Sequence, residues 1–505
     1  MSADAARKAE LRSALYKIGI AALIAAGLFA LYAYEVKVEQ QVSQLLRPAK
    51  AELNQDTPRG WLAAEDLLQK ALDLQPSNPY AVAAYADVQV LLAQAGVQRN
   101  ADDAVARAEA RDEALPERYE ARALQLIEQG KAGEAEGWLL ALLAKYGGVP
   151  RLVDALGRAQ RASGKLVEAR QSFKRAQDQD WRSPRFIADY GYSLLEDGNP
   201  LEAAQAFDRA LQANADHSRA QLGKARALVA LAQLGRGRGD LKSARALCDG
   251  VLARPAAEVP PRLKAQALAA RAAEKLAESD APGAAADADG AAQADATSAA
   301  ALRAQALVAA AKKSPDAGAR FKAAVAADPY DASTYFEGAS ALAAAGDPSG
   351  AEKLLGAYAA ALPRTARFHL ALAQVLGRRE AWKDAQAELT RAEQLEPTNA
   401  MVYFEEGRAA QSQHDTKSAA AAYEHAAQLR DDFPEVYRQM GGLYLENRNV
   451  DGALKVFNEA LARYKAARAP PAVMEGFYSD VLAQVSRAGK PKLAQDWVRE
   501  ARALH

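Results

Sequence analysis

The sequence predicts an all-α chain, a solenoid of repeated helical hairpins behind a single apolar N-terminal helix. Three observations predict it. A pattern of small and large apolar residues recurs at a spacing of 34 positions. One uncharged run near the N-terminus is long enough to cross a bilayer. The composition is that of a folded chain too long for one ordinary core, with 505 residues, 50% hydrophobic and 25% charged.

The uncharged run covers 18–34, from Ile18 to Tyr34. At helical rise it spans roughly 25 Å, the short end of a membrane crossing. Tyr16 before it and Tyr32 and Tyr34 at its end suit the two interfaces. A cleaved signal peptide is the rival reading. Its apolar stretch is usually shorter and ends in a small-x-small site. After Phe29 the chain reads Ala30-Leu31-Tyr32-Ala33-Tyr34, which offers no such site. The expectation is therefore an uncleaved signal-anchor. Arg7, Lys8, Arg12 and Lys17 precede it, against Lys37, Arg47 and Lys50 after it. That bias places a short tail, 1–17, in the cytoplasm and the bulk of the chain across the membrane. The abundance of Ala, Arg and Gly looks bacterial, so the expected location is the inner membrane, single-pass, with the bulk in the periplasm.

The repeat is clearest from Pro150. Leu156, Gly157, Ala169, Phe173 and Ala176 are followed 34 residues later by Tyr190, Gly191, Ala203, Phe207 and Ala210. The frame returns three times without a gap near the C-terminus. His369, Leu372, Ala373, Ala385, Leu389, Ala392 and Pro397 come first. Tyr403, Glu406, Gly407, Ala419, Tyr423 and Ala426 follow, then Tyr437, Met440, Gly441, Ala453, Phe457 and Ala460. Turns such as Ser163-Gly164-Lys165 and Asp197-Gly198-Asn199 separate the two helices of a unit.

On these residues the chain resembles the tetratricopeptide repeat family. Its units carry a small residue in the middle of the first helix and a small–large–small triplet along the second. The small residues let the two helices cross closely, and the large one fills the gap toward the next unit. Weaker copies extend the array. They include Ala64 with Leu68 and Ala71, Ala135 with Leu139, Ala244 with Cys248, Ala317 with Phe321, and Ala351 with Leu355. Ala494, Val498 and Ala501 are expected to close it. About twelve or thirteen units are anticipated, as an N-terminal block over 45–280, Ala-rich weak repeats or a hinge over 281–330, and a C-terminal block over 331–505. The hinge expectation rests on twelve alanines between 281 and 301, which bury little area. Gly235-Arg236-Gly237-Arg238-Gly239-Asp240 reads as an extended turn, since no strand precedes it to make a phosphate-binding loop.

No chemistry is legible. Lys plus Arg is 64 and Asp plus Glu is 64, so no net field points to nucleic acid. Cys248 is the only cysteine, which leaves no disulfide and no thiolate metal site. None of the five histidines forms a His-Glu-x-x-His pair, and no nucleophile elbow or nucleotide loop occurs. The expectation is a non-enzyme without metal or cofactor.

The resemblance implies a right-handed superhelix whose first helices line a concave inner face. It points residues 2, 5, 9, 12 and 13 of each unit inward. Two arginine clusters result. One is Arg151, Arg158, Arg161 and Arg185 with Tyr192. The other is Arg367, Arg378, Arg408 and Arg438 with Phe404. Arginine with aromatic neighbours is the composition of binding hot spots, and its planar fork grips carboxylates. Family members that clamp chaperone tails use Lys and Asn at positions 5 and 9. Here those positions hold Asp154 and Arg158, or Leu370 and Gln374, so that clamp is not expected. The function implied is a membrane-anchored protein–protein interaction scaffold for an envelope machine serving secretion, pili or motility. An envelope biogenesis or quality-control assembly factor is the alternative, and an accessory subunit of an enzyme a more distant one.

Overall fold

The computed structural model describes residues 3–111, 114–233, 240–430, 433–466 and 471–489, with Gln495 and Arg499, and side chains from Tyr16 onward. Among these residues every regular element is helical, with twenty-five α-helices. The loop at 235–239 and the closing residues Ala494, Val498 and Ala501 lie outside the described residues. The chain divides into two compact units. One comprises 1–93 and 98–125, the other 94–97 and 126–505.

The first unit begins with α1, a helix of 52 residues from Ala3 to Asn54. Among the described residues it is the one helix long and apolar enough to cross a membrane, and its apolar window is wholly uncovered. Leu23 is 75% exposed and Phe29 72%. The same helix then turns structural. Val42, Ala49 and Leu53 are buried as α1 packs on α2 (Pro58–Leu74), so the first hairpin begins inside α1 itself. Pro48 lies within α1 and removes one amide donor without ending it. Thr57 caps α2, its hydroxyl accepting from the Gly60 amide at 3.1 Å, with Pro58 at the first helical position. Next come α3 (Pro79–Gln94), α4 (Ala101–Glu109) and α5 (Pro116–Glu128). Glu65 of α2 takes a two-pronged bond from Arg99, at 2.7 and 2.8 Å, and another from Gln89. Burial alone would raise its carboxyl, but these donors bring it below the ordinary range.

The second unit runs from α6 (Ala132–Tyr146) through α7 (Pro150–Ala162), α8 (Leu166–Gln179), α9 (Pro184–Glu196), α10 (Pro200–Ala213), α11 (Ser218–Gln233) and α12 (Leu241–Leu252). It continues with α13 (Pro261–Ala277), α14 (Ala281–Ala294), α15 (Ala299–Ala311), α16 (Ala317–Ala327), α17 (Ala332–Ala345) and α18 (Pro348–Ala361). Then follow α19 (Ala366–Arg378), α20 (Trp382–Leu395), α21 (Ala400–Ser412), α22 (Thr416–Leu429), α23 (Pro434–Glu446), α24 (Val450–Ala466) and α25 (Pro471–Arg487). From α7 to α24, consecutive odd and even helices pack as hairpins. Each odd helix from α9 to α23 also touches the next or previous odd helix. Neighbouring first helices in contact place that layer on the inside of the curve.

The small and large slots lock together as rings on bare backbone. Phe207 of α10 is fully buried between Gly191 of its own hairpin and Gly223 of the next first helix. A Cβ on Gly191 would come within 2.8 Å of the ring, and one on Gly223 closer still. The same overlap holds for Gly157 on Phe173, Gly407 on Tyr423 and Gly441 on Phe457. Among the described hairpin turns of the second unit a Schellman motif recurs, for instance with the Lys165 amide bonding the Gln160 carbonyl and the Asp415 amide that of Ala410. Its left-handed residue is glycine at Gly164, Gly198 and Gly346, but Ser279, Glu380, His414 and Arg448 elsewhere. Asp240, Asp280, Asp347 and Asp415 then cap the second helices through the amide three residues on.

The Ala-rich stretch 281–301 lies inside the second unit and is helical. Ala284, Ala288 and Ala291 of α14 are buried, the middle one standing where other units carry an aromatic ring. Beside it, charged pairs join neighbouring helices. Arg271 grips Asp287 at 2.7 and 2.9 Å, Lys275 reaches it at 2.7 Å, and Arg245 holds Glu274. Arg271 and Lys275 outweigh burial and keep the Asp287 carboxyl below its ordinary value. Cys248 is fully buried in the large slot of α12, and burial pushes its thiol up to about 12.

Candidate protein-interaction face

The inner layer of α7, α9 and α11 is a ladder of alternating charge. Asp154 on α7 accepts from Arg158 at 3.1 Å, one helical turn on, and from Arg185 of α9 at 3.0 Å. Arg158 reaches forward to Asp189 of α9 at 2.7 Å, and Arg219 of α11 closes on the same carboxylate at 2.7 Å. Asp154 and Arg185 are buried, and an unpaired charge there would be costly, so each rung holds the next. Arg161 lies at the end of α7. Its Nε bonds Glu196 at 2.7 Å and its second amino group bonds Asp328 at 2.9 Å. Burial would disfavour its charge, but Glu196, Asp328 and Asp331 raise its affinity for the proton. Burial would also raise Asp331, yet Arg303, Arg226 and Arg161 hold it down to about 2.

Of the first predicted cluster, the structure brings Arg158, Arg161 and Arg185 together, each matched by carboxylates. Arg151 is half-buried at the start of α7. Tyr192 is committed to the array as well. Its hydroxyl donates to the Arg219 carbonyl at 2.9 Å, and its ring meets Phe207 edge-on at 5.2 Å under the Arg219 guanidinium. The sequence pattern flagged Asp154 and Glu196 as inward-facing but did not reveal them as counter-ions. It missed Asp189, Asp328, Arg303 and Asp331. The one signal available was the frame itself, which puts Arg158 and Asp189 in neighbouring units.

The second predicted cluster is divided. Arg367 leaves the others. It donates to the Glu196 carbonyl at 2.6 Å and stacks over Phe336 at 4.2 Å. Phe404 is buried against Phe433 and Tyr423 instead of lining the face, because its ring fills the space between hairpins. Arg438 pairs with Asp480 of α25. Arg378 and Arg408 remain exposed. Between them Glu405 accepts from Arg408 at 2.8 Å and from Gln374 at 3.1 Å. Burial raises the Glu405 carboxyl against the pull of both arginines.

Bare glycines lie under buried rings in four hairpins, at 34-residue spacing between Gly157 and Gly191 and between Gly407 and Gly441. The fold is an α-solenoid of helical hairpins. No protein-family model matches the chain, and no curated protein matches it in sequence. Among solved structures, the APC/C hetero-tetramer Cut9–Hcn1 aligns with a TM-score of 0.45 at 15% identity, over 91% of this chain and 96% of that one. Yeast Tom70 aligns with a TM-score of 0.40 at 14% identity, over 76% of this chain and 94% of that one. In this chain the first helices of the hairpins form an inner wall, and Arg378 and Arg408 are the predicted cations that this wall still presents to solvent.

Proposed function

We propose that the chain is a non-catalytic interaction scaffold. It is anchored by α1 in a bacterial inner membrane, with its hairpins in the periplasm, and holds partners of an envelope-spanning machine for secretion, pili or motility. The observation that carries the proposal is α1 itself. Its apolar half is bare, while its other half is already part of the first hairpin. An exposed run of such apolarity is unfavourable in water and favourable in lipid. Stacked hairpins supply extended surface for protein contact in place of a cleft for catalysis. The exposed pair Arg378 and Arg408 is the part of the inner face best placed to meet a partner's carboxylates.

The test is in-cell crosslinking followed by purification of the full chain from solubilised membranes. Wild type is expected to retain specific partners that the double variant Arg378→Glu, Arg408→Glu loses, with both chains equally abundant. Partners recovered equally by both would remove this face from the proposal. Protease added to spheroplasts is expected to degrade the repeats, and full protection would reverse the orientation.

A further inference from the structure

The turn between α16 and α17 carries Asp328, Pro329, Tyr330 and Asp331, an acidic stretch with an aromatic inside it. It is seated on α7. Asp328 meets Arg161 at 2.9 Å although 167 residues separate them. Tyr330 lies on the turn glycine Gly164, close enough that a Cβ there would come within 2.7 Å of the ring. One hairpin on, the register repeats. The Arg367 side chain lies over the turn glycine Gly198 and bonds the carbonyl of Glu196. The second unit thus comes round onto itself after about five 34-residue repeats.

Arg161 has two carboxylate partners of different origin. Glu196 comes from the neighbouring hairpin and fixes the guanidinium, whereas Asp328 arrives from the distant turn. Without Asp328, Glu196 still orients Arg161, leaving one edge of its fork directed outward. The bare Cα of Gly164 beside it forms a shelf for a ring. The far end of the turn is tied down separately, because Asp331 bonds Arg303 at 2.9 Å and caps α17 through the Ser333 amide. The Arg161–Asp328 pair is partly exposed, at 31% and 27%, so water and salt weaken it and a competitor can reach it.

We propose that this turn is an intramolecular ligand. It occupies a site, built from Arg161 and Gly164, for a partner-protein segment that carries a carboxylate two residues before an aromatic ring. Such a segment must displace Asp328 and Tyr330 to bind. The proposal rests on the reading of the inner face as a protein-binding surface and supplies its autoinhibition.

The full chain in detergent tests it, with a fluorescein-labelled peptide of the turn's own sequence, Ala-Asp-Pro-Tyr-Asp-Ala, followed by anisotropy. The variant Asp328→Asn, Tyr330→Ala is expected to bind the peptide at least about tenfold more tightly than wild type, and Arg161→Ala in that background to abolish the gain. Equal affinity in wild type and variant, or a gain that survives loss of Arg161, overturns the proposal. Spin labels at Val167→Cys and Ala326→Cys read the turn directly. The distance distribution should broaden in the Asp328→Asn, Tyr330→Ala background, and an unchanged distribution also overturns it. Membrane crosslinking that still recovers partners after the peptide experiment fails would retain the scaffold and remove only this role of the turn.

Discussion

Phe207 offers the sharpest test of how the hairpins hold together. Its ring is fully buried between two glycines of successive first helices, so one side chain joins two repeats. Phe207→Ala removes the ring and leaves a cavity, at a cost of about 3–5 kcal/mol. Gly191→Ala does the opposite, forcing a methyl group to within 2.8 Å of a ring that has no room to retreat. Overpacking of that kind costs about 1–3 kcal/mol. The two changes are coupled, because the new methyl group partly fills the space that the ring vacates. The double variant should therefore be less destabilised than the sum, by about 1–2 kcal/mol. Hydrogen exchange of the full chain in detergent is the assay, since repeat arrays lose protection locally and one global midpoint would blur the effect. Amides of α9, α10 and α11 should lose protection in Phe207→Ala while those of α21 to α24 keep theirs. Strict additivity of the two single variants, or a loss spread evenly over the unit, would falsify the clamp.

Three further outcomes are expected. His414→Gly and Arg448→Gly relieve left-handed backbone at φ of 62° and 60°, and each should stabilise its hairpin by about 0.5–1 kcal/mol in local exchange. Glu406 is raised to about 7 by burial and then by Glu393, so its folded state holds a proton that the unfolded chain releases near 4.5. Its contribution is complete below pH 4.5 and fades as pH rises through 7. Glu406→Gln should remove that slope and leave the α21–α22 hairpin about 1–2 kcal/mol more stable at pH 8, after allowance for its partial exposure. Cys248, fully buried with its thiol held up to about 12, should resist iodoacetamide in the folded chain at pH 8 and react on denaturation; rapid native labelling would contradict its placement.

The repeat was legible because packing dictates it at the level of residue type. A ring such as Phe457 needs a glycine such as Gly441 beneath it, and both are visible at fixed spacing without coordinates. The buried thiol of Cys248 followed from the same frame. Counter-ions were less legible. Arg158 and Asp189 lie in neighbouring units, 31 residues apart, but Asp189 stands outside the inward slots, and Arg161 and Asp328 meet only because five hairpins bring the unit round. That curvature is the sum of small angles that no single repeat encodes. Position alone also misled for Phe404, an inward slot whose ring turns between hairpins into the cavity beside Phe433. In the alanine run, thin packing was anticipated from side-chain size, but size could not show that Arg271 and Lys275 of α13 tie down Asp287 of α14.

The unbroken passage of α1 into the first hairpin sets how the chain would meet its surroundings. A flexible tether lets a domain wander through a hemisphere, and encounter rates then depend on tether length. On the proposed anchoring, a helix leaving the lipid near Tyr34 and gripped by α2 as far as Leu53 would behave as a stalk, fixing the first hairpin within roughly 30 Å of the bilayer. Targets are then sorted by altitude as well as by chemistry. Epitopes held at that height on neighbouring membrane proteins are met by lateral diffusion in two dimensions, and those held elsewhere stay out of range of the first hairpin.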